Sequence, residues 1–233
     1  MDQGWLVSYE PNYQSTTDWC LVLDVDETCV HSSENFAKLG ELGIFKNPQL
    51  LDLRRRTYCF FLEDVIGARG TGAVTPIWGV MRPHLKTFLA WAHQHFRVVA
   101  VWSAGQTKYV ERMVDEMFRD LAPPATIYSY PECRNHHSVI EKPLSQMFDD
   151  KKLGMTPEKT LVIDDRLTTF ASVNPNNGIL IPAYSPELTI DQLTRDDKAL
   201  LELQAWFMRP DVMSVSDVRT LNKQQIFSSA CSG

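Results

Sequence analysis

Two carboxylates stand two residues apart in Leu21-Val22-Leu23-Asp24-Val25-Asp26-Glu27-Thr28, directly after an apolar run. Such a run reads as a buried strand, and in open α/β sheets the reacting groups sit just outside the carboxyl ends of the strands. Asp24, at the end of the run, is placed to act as a covalent nucleophile, with Asp26 beside it as general acid and base. Two carboxylates that close repel each other, which a divalent cation relieves; hard oxygen donors suit Mg²⁺. The other reading of these residues is a helix N-cap made of Asp, Glu and Thr. A second apolar run, Leu161-Val162-Ile163, also ends in paired acids, Asp164-Asp165. Two strands ending in this way point to one site rather than to two unrelated caps.

Two weaker signals lie between them. Residues 98–102 lead into Ser103-Ala104-Gly105, a hydroxyl and a small-residue turn that can hold a phosphate with Ser103 and backbone N–H groups, or simply cap a helix. Lys142, in Ile140-Glu141-Lys142-Pro143-Leu144-Ser145, reads alone as a solvated surface lysine.

The elements that must position these groups alternate along the chain. Residues 19–23, 97–102, 126–128, 160–163 and 178–181 are short apolar runs that read as buried strands. Pro83 is placed as a first helical residue, followed by Leu85, Phe88, Leu89 and Ala92 at helical spacing up to His95. A second helix spans about 106–119, with Val110, Met113, Val114, Met117 and Phe118 on one face, and a third spans about 187–207. This alternation predicts an α/β fold: a Rossmann-like, mostly parallel sheet with helices on both faces. The rhythm breaks where β-like runs at 57–66 and 74–80 flank the Gly-rich stretch 67–72, a β-hairpin insertion at about 34–80. Residues 1–17 read as an N-terminal extension, 18–207 as one domain, and 208–233 as a tail whose end at 228–233 is expected to be disordered.

Composition sets outer limits. The chain has 233 residues, 44% of them hydrophobic and 22% charged, which excludes a disordered chain and suffices for one sizeable core. Net charge is −6 and the longest basic cluster is Arg54-Arg55-Arg56, so direct nucleic-acid binding is not expected. The N-terminus lacks the charged and apolar regions of a signal peptide, and no apolar run nears the ~20 residues of a membrane helix, so neither secretion nor membrane spanning is expected. Five cysteines, Cys20, Cys29, Cys59, Cys133 and Cys231, show no C-x-x-C spacing. They fit reduced thiols of an intracellular protein, nuclear or cytoplasmic, better than a disulfide framework or a structural zinc.

Taken in order, Asp24/Asp26, Ser103, Lys142 and Asp164/Asp165 resemble the four stations of the haloacid dehalogenase superfamily of phosphatases. More narrowly, Asp24-Val25-Asp26-Glu27-Thr28-Cys29-Val30-His31-Ser32-Ser33 is similar to the D-L-D-E-T-L-V-H-S-S opening of the NLI-interacting-factor-like family, phosphatases of the RNA polymerase II C-terminal domain. Met81-Arg82-Pro83 resembles the family's K-R-P before its first long helix, and Lys108-Tyr109 and Lys142 with Leu144-Ser145 extend the similarity over about 18–207. Ser103 stands where Thr is usual, and Asp164-Asp165-Arg166 is closer to the larger members and the related mitochondrial import subunit than to the D-N of the small ones.

The resemblance implies that Asp24 attacks phosphorus to form an aspartyl phosphate, and that Asp26 protonates the leaving hydroxyl and then activates water. It implies that Ser103 and Lys142 hold phosphate oxygens, with Lys142 also offsetting the charge of Asp24 as a catalytic residue, and that Mg²⁺ is bound by Asp24, the main-chain carbonyl of Asp26 and Asp165, with Asp164 orienting metal-bound water; Thr28, Ala104 and Tyr109 are further candidate substrate contacts. The implied activity is a Mg²⁺-dependent phosphoserine/phosphothreonine protein phosphatase. Its partner would be a phosphorylated protein or peptide, the RNA polymerase II tail being one candidate. A small-molecule or nucleic-acid-end phosphatase of the superfamily, or a non-catalytic binding module on the fold, are the alternatives. Phe60, Phe61 and Trp78 with Tyr109 could line an apolar slot for a proline beside the phosphorylated residue, or the first three could pack the hairpin on the core. His136 and His137 read as surface-loop residues and Arg134 as a candidate phosphate contact.

Overall fold

The computed structural model describes residues 14–63 and 70–227. In chain order the elements are β1 (Cys20–Leu23), β2 (Val30–Ser33), α1 (Phe36–Leu42), α2 (Leu51–Arg56), β3 (Thr57–Glu63) and β4 (Val74–Met81). Next come α3 (Leu85–His95), β5 (Val98–Trp102), α4 (Thr107–Met117), β6 (Ile127–Tyr128), β7 (Arg134–His136) and β8 (Val139–Glu141). The chain continues through α5 (Ser145–Phe148), β9 (Thr160–Asp164), β10 (Gly178–Leu180), α6 (Ile190–Thr194), α7 (Ala199–Phe207) and α8 (Pro210–Met213).

Five strands form the central sheet in the order β10-β9-β1-β5-β6, and the pairs within it are parallel. Side chains alternate faces along a strand. Leu21, Leu23, Val99, Val101, Leu161 and Ile163 therefore share one face, packed with residues of α3, α4 and α7. Cys20, Val22, Val98, Ala100, Trp102 and Val162 share the other, packed with Leu144, Met147 and Phe170. Continuous apolar runs are needed because both faces are covered; each fully buried Leu, Val or Phe contributes about 1.5–3 kcal/mol relative to exposure.

Register does the positioning. Leu23 lies opposite Val101 on one side and Ile163 on the other. The three strands thus end level, bringing Asp24, Ser103 and Asp164 to one edge of the sheet. Since β1 has neighbours reached by crossovers in opposite directions, this edge is the topological switch point.

A smaller antiparallel sheet, β2-β4-β3, carries the insertion, with Thr57 opposite Val80 and Glu63 opposite Val74. The hairpin expected at about 34–80 is therefore present, but it is larger than a hairpin: β2 joins it directly from the turn after β1, and α1, α2 and the turn before α2 pack Leu39, Leu53 and Leu50 around Trp78. Gly70 and Gly72, at the end of the Gly-rich stretch, take left-handed backbone; residues 64–69 lie outside the described residues.

Three expectations need correction. The helix expected over 187–207 is two helices, α6 and α7, because Arg195 turns extended and Asp197 leaves the helical path to accept both the Ala199 N–H and the Arg82 guanidinium. Helix α3 begins at Leu85 rather than Pro83, since His84 adopts φ 67°. His136 and His137, expected in a surface loop, are exposed but belong to the β7–β8 hairpin; its turn residues His137 and Ser138 both have positive φ without being glycine, so no turn signal marks it. Beyond Met208, Val212, Val218 and Ile226 are buried in the same core as the sheet. The expected disorder at 228–233 lies outside the described residues.

Candidate active site

The turn after β1 is built to hold its acids still. Cys29 and Val30 donate backbone N–H bonds to the Val25 carbonyl at 2.8 and 3.1 Å, closing the chain on itself. Glu27 takes φ 59°, a left-handed conformation uncommon for a non-glycine residue. It is fixed by the Tyr184 N–H on its carbonyl at 2.6 Å and by His31 on its carboxylate at 3.0 Å. Arg82, fully buried, ties the turn to the rest of the fold: Nη1 donates to the Thr28 carbonyl at 3.1 Å, Nη2 to the Pro182 carbonyl at 2.8 Å, and the guanidinium forks onto Asp197. This gives the Arg of Met81-Arg82-Pro83 a physical role that its motif did not reveal.

Inside this frame, Asp24 lies nearly buried. Lys142 donates to its Oδ1 and, at 2.7 Å, to Asp164 Oδ2. Lys142 is 1% exposed, so the solvated surface lysine that it suggests in isolation is wrong, while its place in the resemblance is kept. Burial alone would depress the Lys142 ammonium, but Asp24 and Asp164 outweigh that and hold it above the ordinary lysine range. Burial pushes the Asp24 carboxyl up, Lys142 opposes, and Asp164 and Asp26 add their repulsion. The Asp165 carboxyl is raised by burial and by Asp164.

Carboxylate oxygens of Asp24, Asp164 and Asp165 lie within 4.8 Å of one another. Three acids with one lysine leave a net negative, oxygen-only cluster, which is the donor chemistry a hard divalent cation such as Mg²⁺ requires. The Asp26 carboxylate stands apart from this cluster: Tyr109 donates to its Oδ1 and Ser103 to its Oδ2, the latter at 3.2 Å. Burial raises the Asp26 carboxyl against these two hydrogen bonds. Asp164 Oδ1 accepts the Arg166 N–H at 2.9 Å, so both of its oxygens are engaged in positioning.

Asp24, Asp26, Ala104, Gly105, Lys142, Asp164 and Asp165 line a cavity of about 480 Å³. Three other assigned residues stand behind it. Thr28 is fully buried, and its hydroxyl accepts the Asp165 N–H at 3.1 Å. It braces the acidic loop, because the turn aims it toward β9. Ser103 is buried as well; its hydroxyl accepts the Gly105 N–H at 2.9 Å while donating to Asp26. Tyr109 spends its hydroxyl on Asp26. Phe60 and Trp78 are buried in the insertion, in agreement with the packing reading, whereas Phe61 is 63% exposed on its outer side. The Arg134 guanidinium is taken by Glu141 at 2.6 Å, and His136 and His137 are exposed with their rings 4.2 Å apart.

Sequence reasoning missed the far wall, formed by Ser138, Val139 and Ile140 of the β7–β8 hairpin and by Arg166, Thr168 and Thr169 after β9. Proximity in sequence to Lys142 and Asp165 was the available signal, and nothing in residue type strengthened it.

A doubly covered parallel sheet whose switch point gathers an acid pair, a buried lysine and a second acid pair is a haloacid dehalogenase-like fold. The sequence profile described as NLI interacting factor-like phosphatase matches residues 19–219, and the chain belongs to that family. It is 27% identical over 203 residues to a "Probable C-terminal domain small phosphatase" of Dictyostelium discoideum, covering 85% of this chain and 52% of that protein. It is 24% identical over 188 residues to a human "CTD small phosphatase-like protein", covering 81% and 54%. The chain thus spans about half the length of these relatives. Among solved structures it resembles fission yeast RNA polymerase II CTD phosphatase Fcp1-R271A bound to beryllium fluoride, with a TM-score of 0.56, 18% identity and coverage of 71% of this chain and 42% of that one. A structure of Fcp1, an essential RNA polymerase II CTD phosphatase, gives a TM-score of 0.57 at 16% identity over 88% and 58%. At these identities the likeness to the solved structures speaks for the fold.

Proposed function

We propose that this chain is a phosphomonoester hydrolase acting on phosphoserine or phosphothreonine in a protein. The observation that carries the reading is the Asp24 carboxylate held by buried Lys142 at the base of the cavity, with Asp26 on the same turn. Asp24, Asp165 and the Asp26 carbonyl would hold Mg²⁺, with Asp164 orienting its water, and the ion would supply positive charge against the phosphoryl oxygens.

The protein's own groups account for the remaining steps. Lys142 fixes Oδ1 of Asp24, and Oδ2 forms the new bond to phosphorus while the bond from phosphorus to the serine or threonine oxygen breaks. Asp26 gives its proton to that departing oxygen, releasing the alcohol and leaving Asp24 phosphorylated. Water then attacks phosphorus and yields its proton to Asp26, the bond from Asp24 to phosphorus breaks, and inorganic phosphate departs. Lys142 stabilises charge on the transferring group, which matters because the loose transition state offers little else to grip.

The names of the relatives support a phosphorylated protein as substrate, with the RNA polymerase II tail as first candidate. The test is hydrolysis of p-nitrophenyl phosphate with and without Mg²⁺ by wild type and Asp24→Asn, followed by serine-phosphorylated polymerase-tail peptides set against sugar and nucleotide phosphates. Activity that needs both Mg²⁺ and Asp24 and prefers phosphopeptides supports the reading. A folded protein inert on every ester points instead to a binding module, and preference for small phosphates points to a small-molecule phosphatase.

A further inference from the structure

Three hydroxyls from three different elements form one unbroken row ending on the general acid. Tyr109 of α4 donates to Asp26 Oδ1, Ser32 of β2 lies 2.8 Å from the Tyr109 oxygen, and Tyr58 of β3 lies 2.7 Å from Ser32 Oγ. Each hydroxyl has one proton to donate, so direction is fixed once the end is known. An ionised carboxylate only accepts, so Tyr109 must donate to Asp26; Ser32 then donates to Tyr109, and Tyr58 shares its proton between Ser32 at 2.7 Å and the more distant His31 carbonyl at 3.3 Å. The backbone is shaped for this row. A Cβ on Gly79 of β4 would lie 2.3 Å from the Tyr58 hydroxyl and 2.2 Å from the His31 carbonyl, so only glycine leaves room for Tyr58 there. Phe60, 6.4 Å from the Tyr109 ring, closes the apolar side.

We infer that Tyr109 is a positioning residue that, backed by Ser32 and Tyr58, selects which oxygen of Asp26 delivers the proton. Oδ1 takes the Tyr109 hydroxyl while Oδ2 takes only the longer Ser103 bond at 3.2 Å, so Oδ2, on the side of the Ala104–Gly105 wall of the cavity, is the oxygen left with room for the transferable proton. The row also runs from the insertion sheet to the acid, which gives the insertion a structural link to catalysis. The inference rests on the phosphatase reading above.

The experiment compares kcat/KM of wild type, Tyr109→Phe, Ser32→Ala and Tyr58→Phe over phosphate monoesters of graded leaving-group basicity, from p-nitrophenyl phosphate through phenyl phosphate to an alkyl phosphate and a phosphoserine peptide. An alkoxide needs the proton and a nitrophenolate does not. Since general acid catalysis is worth about 10²–10⁴-fold, Tyr109→Phe should lose on the order of 10-fold or more on the alkyl esters and less than about threefold on p-nitrophenyl phosphate. The leaving-group slope therefore steepens, and Ser32→Ala and Tyr58→Phe show the same pattern in diminishing size. Equal losses on all esters in every active variant, or a loss confined to KM for the peptide, overturn the inference while leaving the phosphatase reading intact. Absence of wild-type turnover on every ester overturns both. Should Tyr109→Phe fail to fold, the slopes of the other two variants decide.

Discussion

Replacing Arg82 by Met retains most of the buried stem and removes the guanidinium. What is lost follows from the bonds: the fork onto Asp197 at 2.8 and 3.0 Å, one bond to the Pro182 carbonyl at 2.8 Å, one to the Thr28 carbonyl at 3.1 Å, and the placement of the cation 5.5 Å from the Tyr184 ring. Asp197 is partly exposed and can turn to water, so its loss costs little. The Thr28 carbonyl, in a fully buried residue, has no such route and its orphaning costs about 1–3 kcal/mol, while the Pro182 carbonyl, in a half-buried residue, loses about 1 kcal/mol for its bond and the ring contact adds about 0.5–1 kcal/mol. The expected loss is about 3–5 kcal/mol, or roughly 10 °C or more in Tm for a domain of this size. Urea unfolding followed by fluorescence measures it, with m unchanged if only the native state is affected. Arg82→Lys should fall between, because one ammonium cannot reach Asp197 and both carbonyls at once. Turnover should drop along with stability, since Thr28 belongs to the turn that carries Asp24 and Asp26. A loss under about 1 kcal/mol for Arg82→Met at constant m would refute the reasoning that this fork holds the turn.

Three further outcomes are expected. Gly79→Ala should destabilise by about 1–3 kcal/mol and displace the Tyr58 hydroxyl, because the new Cβ meets the His31 carbonyl at 2.2 Å; denaturation of the single variant checks it. His95 is 1% exposed among Trp19, Trp91, Phe96 and Phe207, and burial lowers its pKa to about 4. The unfolded chain therefore takes up a proton that the folded one refuses between about pH 6.5 and 4. Stability is complete above that window and falls by up to about 3 kcal/mol across it, a limb that should vanish in His95→Leu when urea midpoints are compared against pH. Mg²⁺ at 100 times its dissociation constant should raise stability by about 2.7 kcal/mol, shifting Tm by roughly 5–10 °C. Asp165→Asn should lose most of that shift in a thermal melt.

The parts of the fold legible in the sequence were those in which one physical signal decides. The strands around Val22, Ala100 and Val162 are buried on both faces, so their apolar runs are uninterrupted and unmistakable. Asp24, Asp26, Asp164 and Asp165 stood out because an acid after such a run has few structural reasons to be there. What stayed hidden depends on partners distant in sequence. Lys142 looks like any surface lysine until β1 and β9 bring Asp24 and Asp164 onto its ammonium. Thr28 and Tyr109 carry the right residue types for substrate contact, yet the turn after β1 directs the first to the Asp165 N–H and α4 directs the second to Asp26. At the break after Arg195, Asp197 accepts the Ala199 N–H nearby and the Arg82 guanidinium from far along the chain, and only the first of these is a local signal. The β7–β8 hairpin, with three residues a strand and a glycine-free turn, is too short for its alternation to register.

The nucleophile is the central claim, and it is read most directly by trapping it. Wild type mixed with p-nitrophenyl phosphate and Mg²⁺ is quenched in acid within a turnover, digested, and the peptides are weighed by mass spectrometry. A phosphoryl adduct on the peptide carrying Asp24, localised to that residue and absent from Asp24→Asn, is the predicted result. Turnover with the adduct on another residue, or undiminished turnover by Asp24→Asn, would contradict it.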